Sequence, residues 1–308
     1  MTVLHAVRRG SAPRRPVWDE QPTKLGSAGK ALVLGAMVVG VLLPLWTVVV
    51  TSLSSQETIT QAGGLVLVPR EISFRAYEQI LSGGVVTRAV GVSAFVTIVG
   101  TLISVSVTVL GAYALSKPSM IFHRTLLFLV LITMFFGAGI IPTYLLVSGL
   151  GLINSLWALI LPTAVSAFNL LIMRNFFMNV DQEILDSARI DGAGEWRILL
   201  TMVLPMSKAV VAVVALFYGV GYWNAFFNAM LYLNDSALWP LQLVLRSYVL
   251  QGTAMSGNEL QQFHDGGQIA SLAVQMSVVV LAVIPVLVVY PFVQRHFRSG
   301  LMLGAVKG

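Results

Sequence analysis

Five stretches of this chain contain no Asp, Glu, Lys or Arg: 31–56, 89–116, 125–173, 209–234 and 266–294. A bilayer core roughly 30 Å thick is crossed by about 20 apolar residues in a helix. Each stretch is therefore long enough to span, and 125–173 is long enough to do so twice with a turn between. Composition agrees. Only 10% of residues are charged where a soluble domain carries about 25%, and the mean hydropathy is +0.83. An ordinary soluble domain is excluded, and so is a disordered chain, which needs low hydrophobicity and abundant charge. The predicted fold class is an all-α polytopic membrane protein with six transmembrane helices.

The pattern places a basic tail at 1–30, a first span at 31–53 and an extracytoplasmic segment at 54–87. Further spans fall at about 88–115, 125–147, 153–174, 206–230 and 269–292, followed by a tail at 293–308. The first apolar run far exceeds the roughly 7–15 residues of a signal peptide's core, so it reads as a retained span. Gly149, Gly151 and Asn154 supply the turn that divides the longest run. Prolines within or beside spans (Pro44, Pro142, Pro162, Pro205, Pro285, Pro291) read as kinks that neighbouring helices or water accommodate. Small residues at helix-packing intervals, Ala36 with Gly40 and Gly100 with Ser104, let backbones approach.

Lys and Arg set the orientation. Counted with both termini inside, the inner segments hold six (1–30), two (Lys117, Arg124), four (174–208) and three (the C-terminus). The outer segments hold three, none and one. The formal charge of +6 thus reports topology, and nucleic-acid binding is not needed to explain it.

The chain has no cysteine, which removes disulfides, thiol catalysis and Cys-ligated metals. Its four histidines (His5, His123, His264, His296) have no metal-ligand spacing. No phosphate-binding glycine loop is present: Gly29-Lys30 lacks the leading glycine, and neither Gly149-x-Gly151 nor Gly192-x-Gly194 extends to a dinucleotide fingerprint. The spans hold almost no ionisable residue away from their ends, whereas an ion-coupled carrier keeps such groups in the membrane. No inverted repeat between the halves is visible. The expectation is a chain that is not an enzyme, binds no cofactor or metal, and takes any driving energy from a partner.

That partner is expected at the inner loop 175–205. Asn179 is placed to cap a helix whose first turns hold Asp181, Gln182 and Glu183. Gly192 follows about three turns later, suited to a left-handed exit. Helical spacing resumes from Ala193 with Trp196, Leu199, Leu200 and Val203 before Pro205 opens the fifth span. On spacing alone this is a helix–glycine–helix unit at the inner leaflet, equally consistent with an amphipathic loop lying on headgroups.

Asp186-Ser187-Ala188-Arg-Ile-Asp191-Gly192-Ala193, then Leu204-Pro205, resembles the EAA motif of ABC importer permeases. That motif runs Glu-Ala-Ala, three residues, Gly, then an apolar stretch ending in Leu-Pro. Asp186 stands where the motif has Glu, and Ser187 where it has its first Ala. The stretches Phe217-Tyr-Gly-Val-Gly-Tyr-Trp223-Asn224, Trp239-Pro240-Leu241 and Gly304-Ala-Val-Lys-Gly308 are similar to the carbohydrate-importer subgroup, which contains the maltose transporter's second permease and lipoprotein-linked oligosaccharide permeases.

The resemblance implies a type I importer permease fold, with 88–292 as its transmembrane domain. It also implies a multi-pass subunit of the bacterial cytoplasmic membrane that pairs with a second homologous permease. Two cytoplasmic ATPase subunits, which bind the ATP, would dock on the two EAA loops, and an extracytoplasmic solute-binding protein would deliver a sugar. Asp186 is then the charged contact to the ATPase, Gly192 the turn, and Ala188 and Ala193 close-packing positions. Tyr218, Tyr222, Trp223 and Asn224 are the candidates for the solute path, with aromatic faces and amides suited to sugars. Outside, Phe74, Tyr77, Ile80 and Leu81 fit one face of a short helix from Ser73, and 57–84 and 235–268 could meet a binding protein or rest on the membrane. The loop motif does not separate sugars from peptides, amino acids or phosphate. An ion-coupled carrier and a membrane enzyme are disfavoured by the absent groups.

Overall fold

A computed structural model describes residues 24–82, 84–250 and 272–304. The first 23 residues of the basic tail, 251–271 of the outer segment and the last four residues of the C-terminal tail lie outside the described residues. Every described element is helical.

The chain divides after Thr47 into two units. The first holds the greater part of α1 (Lys24–Ser52), in which every side chain from Lys24 to Trp46 is exposed. A helix that is apolar all round and exposed suits lipid contact. The second unit begins within α1 at Val48. It continues through short α2 (Gln56–Gln61) and α3 (Arg75–Leu81) to the 31-residue α4 (Val85–Leu115). Next come α5 (His123–Phe135), α6 (Ile140–Gly149), α7 (Trp157–Ile160) with a 3-10 turn at Leu161–Thr163, and α8 (Ala167–Met178). The inner loop folds as α9 (Gln182–Ile190) and α10 (Glu195–Ile198), a π turn at Leu199–Val203, and α11 (Leu204–Met206). Then follow α12 (Lys208–Trp223), α13 (Phe226–Tyr232), a 3-10 turn at Ser236–Leu238, α14 (Leu241–Leu250) and α15 (Leu272–Gly304).

Three helices are long and apolar enough to cross unbroken: α1, α4 and α15 over Leu272–Val289. Three more crossings, six in all, come from bent pairs: α5 with α6 at 118°, α7 and its 3-10 turn with α8 at 51°, and α10–α11 with α12 at 85°. The segments expected as spans at 125–147, 153–174 and 206–230 are bent within their length. The first breaks at 136–139, where Gly139 takes φ +84°, a region open to glycine at little cost. The second breaks beside Pro162, which has no amide N–H to donate. The third bends at Ser207, between α11 and α12, and α12 then stops at Trp223 before the chain restarts as a helix at Phe226. At the turn dividing the longest run, Gly151 and Asn154 both have positive φ. The Asn154 side-chain oxygen accepts from the amides of Asn234 and Asp235 at 3.1 and 2.8 Å.

Between α1 and α4, α3 buries Ala76 and Ile80, while Phe74 and Leu81 are exposed and no side chain caps the helix. The buried face therefore differs from the expected Phe74–Tyr77–Ile80–Leu81 stripe: the Ser73 amide is held by the Leu53 carbonyl at 2.7 Å, and the helix begins only at Arg75. Tyr77 instead bonds the Ser52 hydroxyl at 2.8 Å.

The heart of the bundle is the contact of α4 with α12. A Cβ on Gly100 would lie 2.8 Å from the Tyr222 ring, so only glycine lets the ring seat there. Ser104, one turn on, bonds the Tyr222 hydroxyl at 2.8 Å, and that hydroxyl donates to the Ile160 carbonyl at 3.2 Å. Thr108 meets the Tyr218 hydroxyl at 2.8 Å, which accepts from the Ser166 amide at 2.9 Å. Two tyrosines thus clamp α12 to α4 and to both parts of the bent crossing α7–α8.

Candidate functional site

The loop between α8 and α12 is built on a glycine stop. Gly192 has φ +80°. Its amide donates to the Arg189 carbonyl at 3.0 Å, and the Ala193 amide reaches back to Ala188 at 2.9 Å. These paired bonds satisfy the carbonyls left open at a helix end, and they require the left-handed residue between them. Ala188 and Ala193 therefore stand at the two ends of the closing bond, where a large side chain would pry the turn open. At the other end Asp181 caps α9, its carboxylate accepting from the Glu183 amide at 3.1 Å. Asn179, expected as the cap, closes α8 instead, with its amide on the Asn175 carbonyl at 2.9 Å. The reason is that α8 runs deeper into the loop than the hydrophobic pattern indicates.

One face of this unit belongs to the membrane core. Leu185, Ala188, Ile198, Leu199 and Val203 are buried in the same cluster as Val109 and Ala112 of α4 and Phe177 of α8. Each fully buried Leu or Ile contributes about 1.5–3 kcal/mol, so the loop is packed as firmly as the spans. The other face is open: Ile184, Trp196 and Leu200 are exposed, and Ile190, beside the glycine turn, is 87% exposed.

Charged groups also tie the unit to α4. Glu195, the first residue of α10, pairs with Lys117 just beyond α4, receives the Tyr113 hydroxyl at 2.5 Å, and lies 3.7 Å from Arg189 of α9. The hydrogen bond from Lys117, then that from Tyr113, hold the Glu195 carboxyl below the usual carboxylate range. Arg189 also bonds Asp186 at 2.6 Å. Asp186 is thus exposed but already paired within its own helix, and Ser187 beside it is exposed too. Nearby, Arg174 donates to the Leu115 carbonyl at 2.8 Å, a cation on the C-terminal end of α4. Sequence reasoning counted Lys117 for topology and passed over Glu195 and Ile190. The visible signal was an acid placed to open the helix after the glycine.

Leu204 and Pro205 open α11 after the π turn. Pro205 takes a first-turn position, where its missing N–H is not needed.

Of the four candidate path residues, Tyr218, Tyr222 and Trp223 are buried, and the Trp223 indole N–H donates to the Ala282 carbonyl at 2.8 Å. Asn224 is exposed, and its side-chain oxygen accepts from Gln242 of α14 at 3.3 Å. An apolar groove of about 340 Å³ between α4, α12 and α15 has Thr97 as its one hydroxyl-bearing wall residue. A sugar's hydroxyls would find few partners there.

A bundle of straight and bent crossings with a glycine-stopped inner loop defines the permease class of membrane transport subunits. The chain belongs to the family described as "binding-protein-dependent transport system inner membrane component", whose model matches residues 113–302. It is 44% identical over 266 residues, 86% of this chain and 92% of the relative, to the "polygalacturonan/rhamnogalacturonan transport system permease protein YtcP" of Bacillus subtilis (strain 168). It is 41% identical over 279 residues, 90% of this chain and 93% of the relative, to protein LplC of the same organism. Its fold matches a chain in the crystal structure of a bacterial ABC transporter involved in the import of the acidic polysaccharide alginate, with TM-score 0.80 and 31% identity, over 89% of this chain and 97% of that one. The all-α architecture is that of a type I ABC importer permease.

Proposed function

We propose that this chain is one of two permease subunits of an ATP-driven oligosaccharide importer in the bacterial inner membrane, with both termini cytoplasmic. A second homologous permease completes the path. Two cytoplasmic ATPase subunits bind the ATP and seat the two inner loops, and an extracytoplasmic solute-binding protein delivers the sugar. The names carried by the relative and by the similar transporter, polygalacturonan/rhamnogalacturonan and alginate, support the sugar class.

The observation that carries this reading is the two-faced inner loop. Leu185, Ala188 and Ile198 are sunk in the bundle core, while Ile184, Ile190 and Trp196 stand exposed around Asp186. A load applied to the open face passes through packed side chains and the Lys117–Glu195 pair into α4, and through the π turn into α12. Closure of an ATPase dimer would thereby tilt the clamped α4–α12 pair and alternate the access of the path.

The chain's lack of cysteine makes the test direct. Ser187→Cys in the assembled complex should form a disulfide or maleimide cross-link with an ATPase subunit and resist impermeant thiol reagents added outside. Ready modification from outside, with no ATPase adduct, would sink the proposal.

A further inference from the structure

Two short outer helices bring together a set of side chains that no hydrophobic pattern isolates. On α14, Leu241, Leu243 and Val244 are buried, and Ser93 of α4 accepts the Leu241 amide at 2.8 Å, so the helix is fixed in the bundle. Gln242 and Arg246, four residues apart, share its other face. Gln242 donates to Asn224 at 3.3 Å. Arg246 bonds the Met230 sulfur and stands 5.9 Å from the centre of the Phe226 ring. Phe226 and Met230 are themselves four apart on α13 and exposed.

The guanidinium is exposed. The ion pairs among the described residues are Lys117–Glu195, Arg189–Asp186 and Arg189–Glu195, so among those residues no carboxylate pairs with it. On the topology proposed above, α12 runs 16 residues from the inner side to Trp223. That is about 24 Å at 1.5 Å per residue, which sets Asn224 near the outer end of a core roughly 30 Å thick. Arg246 lies beside Met230 and Phe226, beyond the end of α12, and so stands at the outer mouth of that crossing, where a polar ligand can reach it.

We propose that Arg246, with Gln242, Asn224 and the Phe226 ring, forms a site for a carboxylate-bearing sugar unit, and that the imported oligosaccharide is acidic. The inference rests on the import function proposed above and narrows its substrate. A guanidinium fork takes a carboxylate through two parallel hydrogen bonds. The Gln242–Asn224 pair keeps amide donors and an acceptor free for ring hydroxyls. The Phe226 face, negative in its quadrupole, suits the C–H side of a pyranose.

The test uses the complete complex with its binding protein in proteoliposomes, with trigalacturonate and its methyl ester as probes and rates normalised to assembled complex. A hydrogen bond to a charged group is worth about 1.5–3 kcal/mol, so Arg246→Gln should lower trigalacturonate uptake roughly tenfold or more. Arg246→Lys should recover part of it, and uptake of the ester should fall far less. Gln242→Cys should react with a water-soluble thiol reagent and be protected by trigalacturonate during turnover. Unchanged trigalacturonate uptake by Arg246→Gln, an equal loss for acid and ester, or a Gln242→Cys thiol that is unreactive or unprotected would each overturn the site. Equal loss would instead assign Arg246 to a carboxylate of the second permease. If the binding protein does not deliver the ester, the protection result decides. A wild-type complex that imports neither probe with ATP would overturn the import reading itself.

Discussion

Lys117, just past the inner end of α4, is ion-paired with Glu195, which opens α10 on the far side of the glycine turn. The pair joins the end of a span to the element proposed to meet the ATPase. It also crosses the loop where the chain itself makes no covalent shortcut.

Because Glu195 is half exposed, the pair adds less than about 1 kcal/mol to stability. Glu195→Gln should therefore leave the melting temperature of the purified complex nearly unchanged while lowering the uptake obtained per ATP hydrolysed. A large melting shift with unaltered coupling would contradict a role in transmission.

The same carboxyl gives a pH signature. Its folded value is depressed, so the stabilisation it provides is fully present above the ordinary carboxylate value of about 4.3 and is lost as pH falls through the lower folded value. Coupling should be flat from neutrality down to the carboxylate range. Any loss below it should be smaller in Glu195→Gln, as read from uptake against ATP hydrolysis in proteoliposomes.

At Gly192 a Cβ would meet nothing within 4 Å, so the penalty for substitution comes from φ +80° alone. Gly192→Val should cost about 1–2 kcal/mol locally, leave membrane insertion intact and abolish substrate-stimulated ATP hydrolysis. Gly192→Asn, which tolerates the left-handed region, should retain much more. Equal activity of the two variants would show that the left-handed backbone does not matter.

At Gly100 the penalty is steric. Gly100→Ala drives a methyl into the Tyr222 ring and should destabilise by about 1–3 kcal/mol. Tyr222→Phe, which forfeits the bonds to Ser104 and Ile160, should cost about 0.5–1.5 kcal/mol. Thermal unfolding in detergent, followed by tryptophan fluorescence, would rank them.

The apolar runs made the number of crossings legible, and Gly192 announced its turn, because both are written in local sequence. The breaks at 136–139 and 224–225 were not. Apolar residues continue through them, and only the packing of neighbouring helices decides where the backbone turns. Tyr218 and Tyr222 stand out in the sequence as candidates for the solute path, but both are buried, and their hydroxyls meet Thr108 and Ser104, more than a hundred residues away in sequence. Asn224 found its companion Gln242 the same way. Asn179 does not cap α9 because α8 runs on to Met178 and takes Asn179 as its own end, which leaves the cap to Asp181.

The π turn at Leu199–Val203 has its own consequence. Such a turn accommodates one residue beyond the α-helical count, and one residue corresponds to about 100° of rotation about a helix axis. Were that residue taken up into regular winding, everything from Leu204 onward would swivel as a block by a fixed increment. The extra residue thus sits immediately before Leu204-Pro205 and the 85° bend into the helix that carries Tyr218, Tyr222 and Trp223.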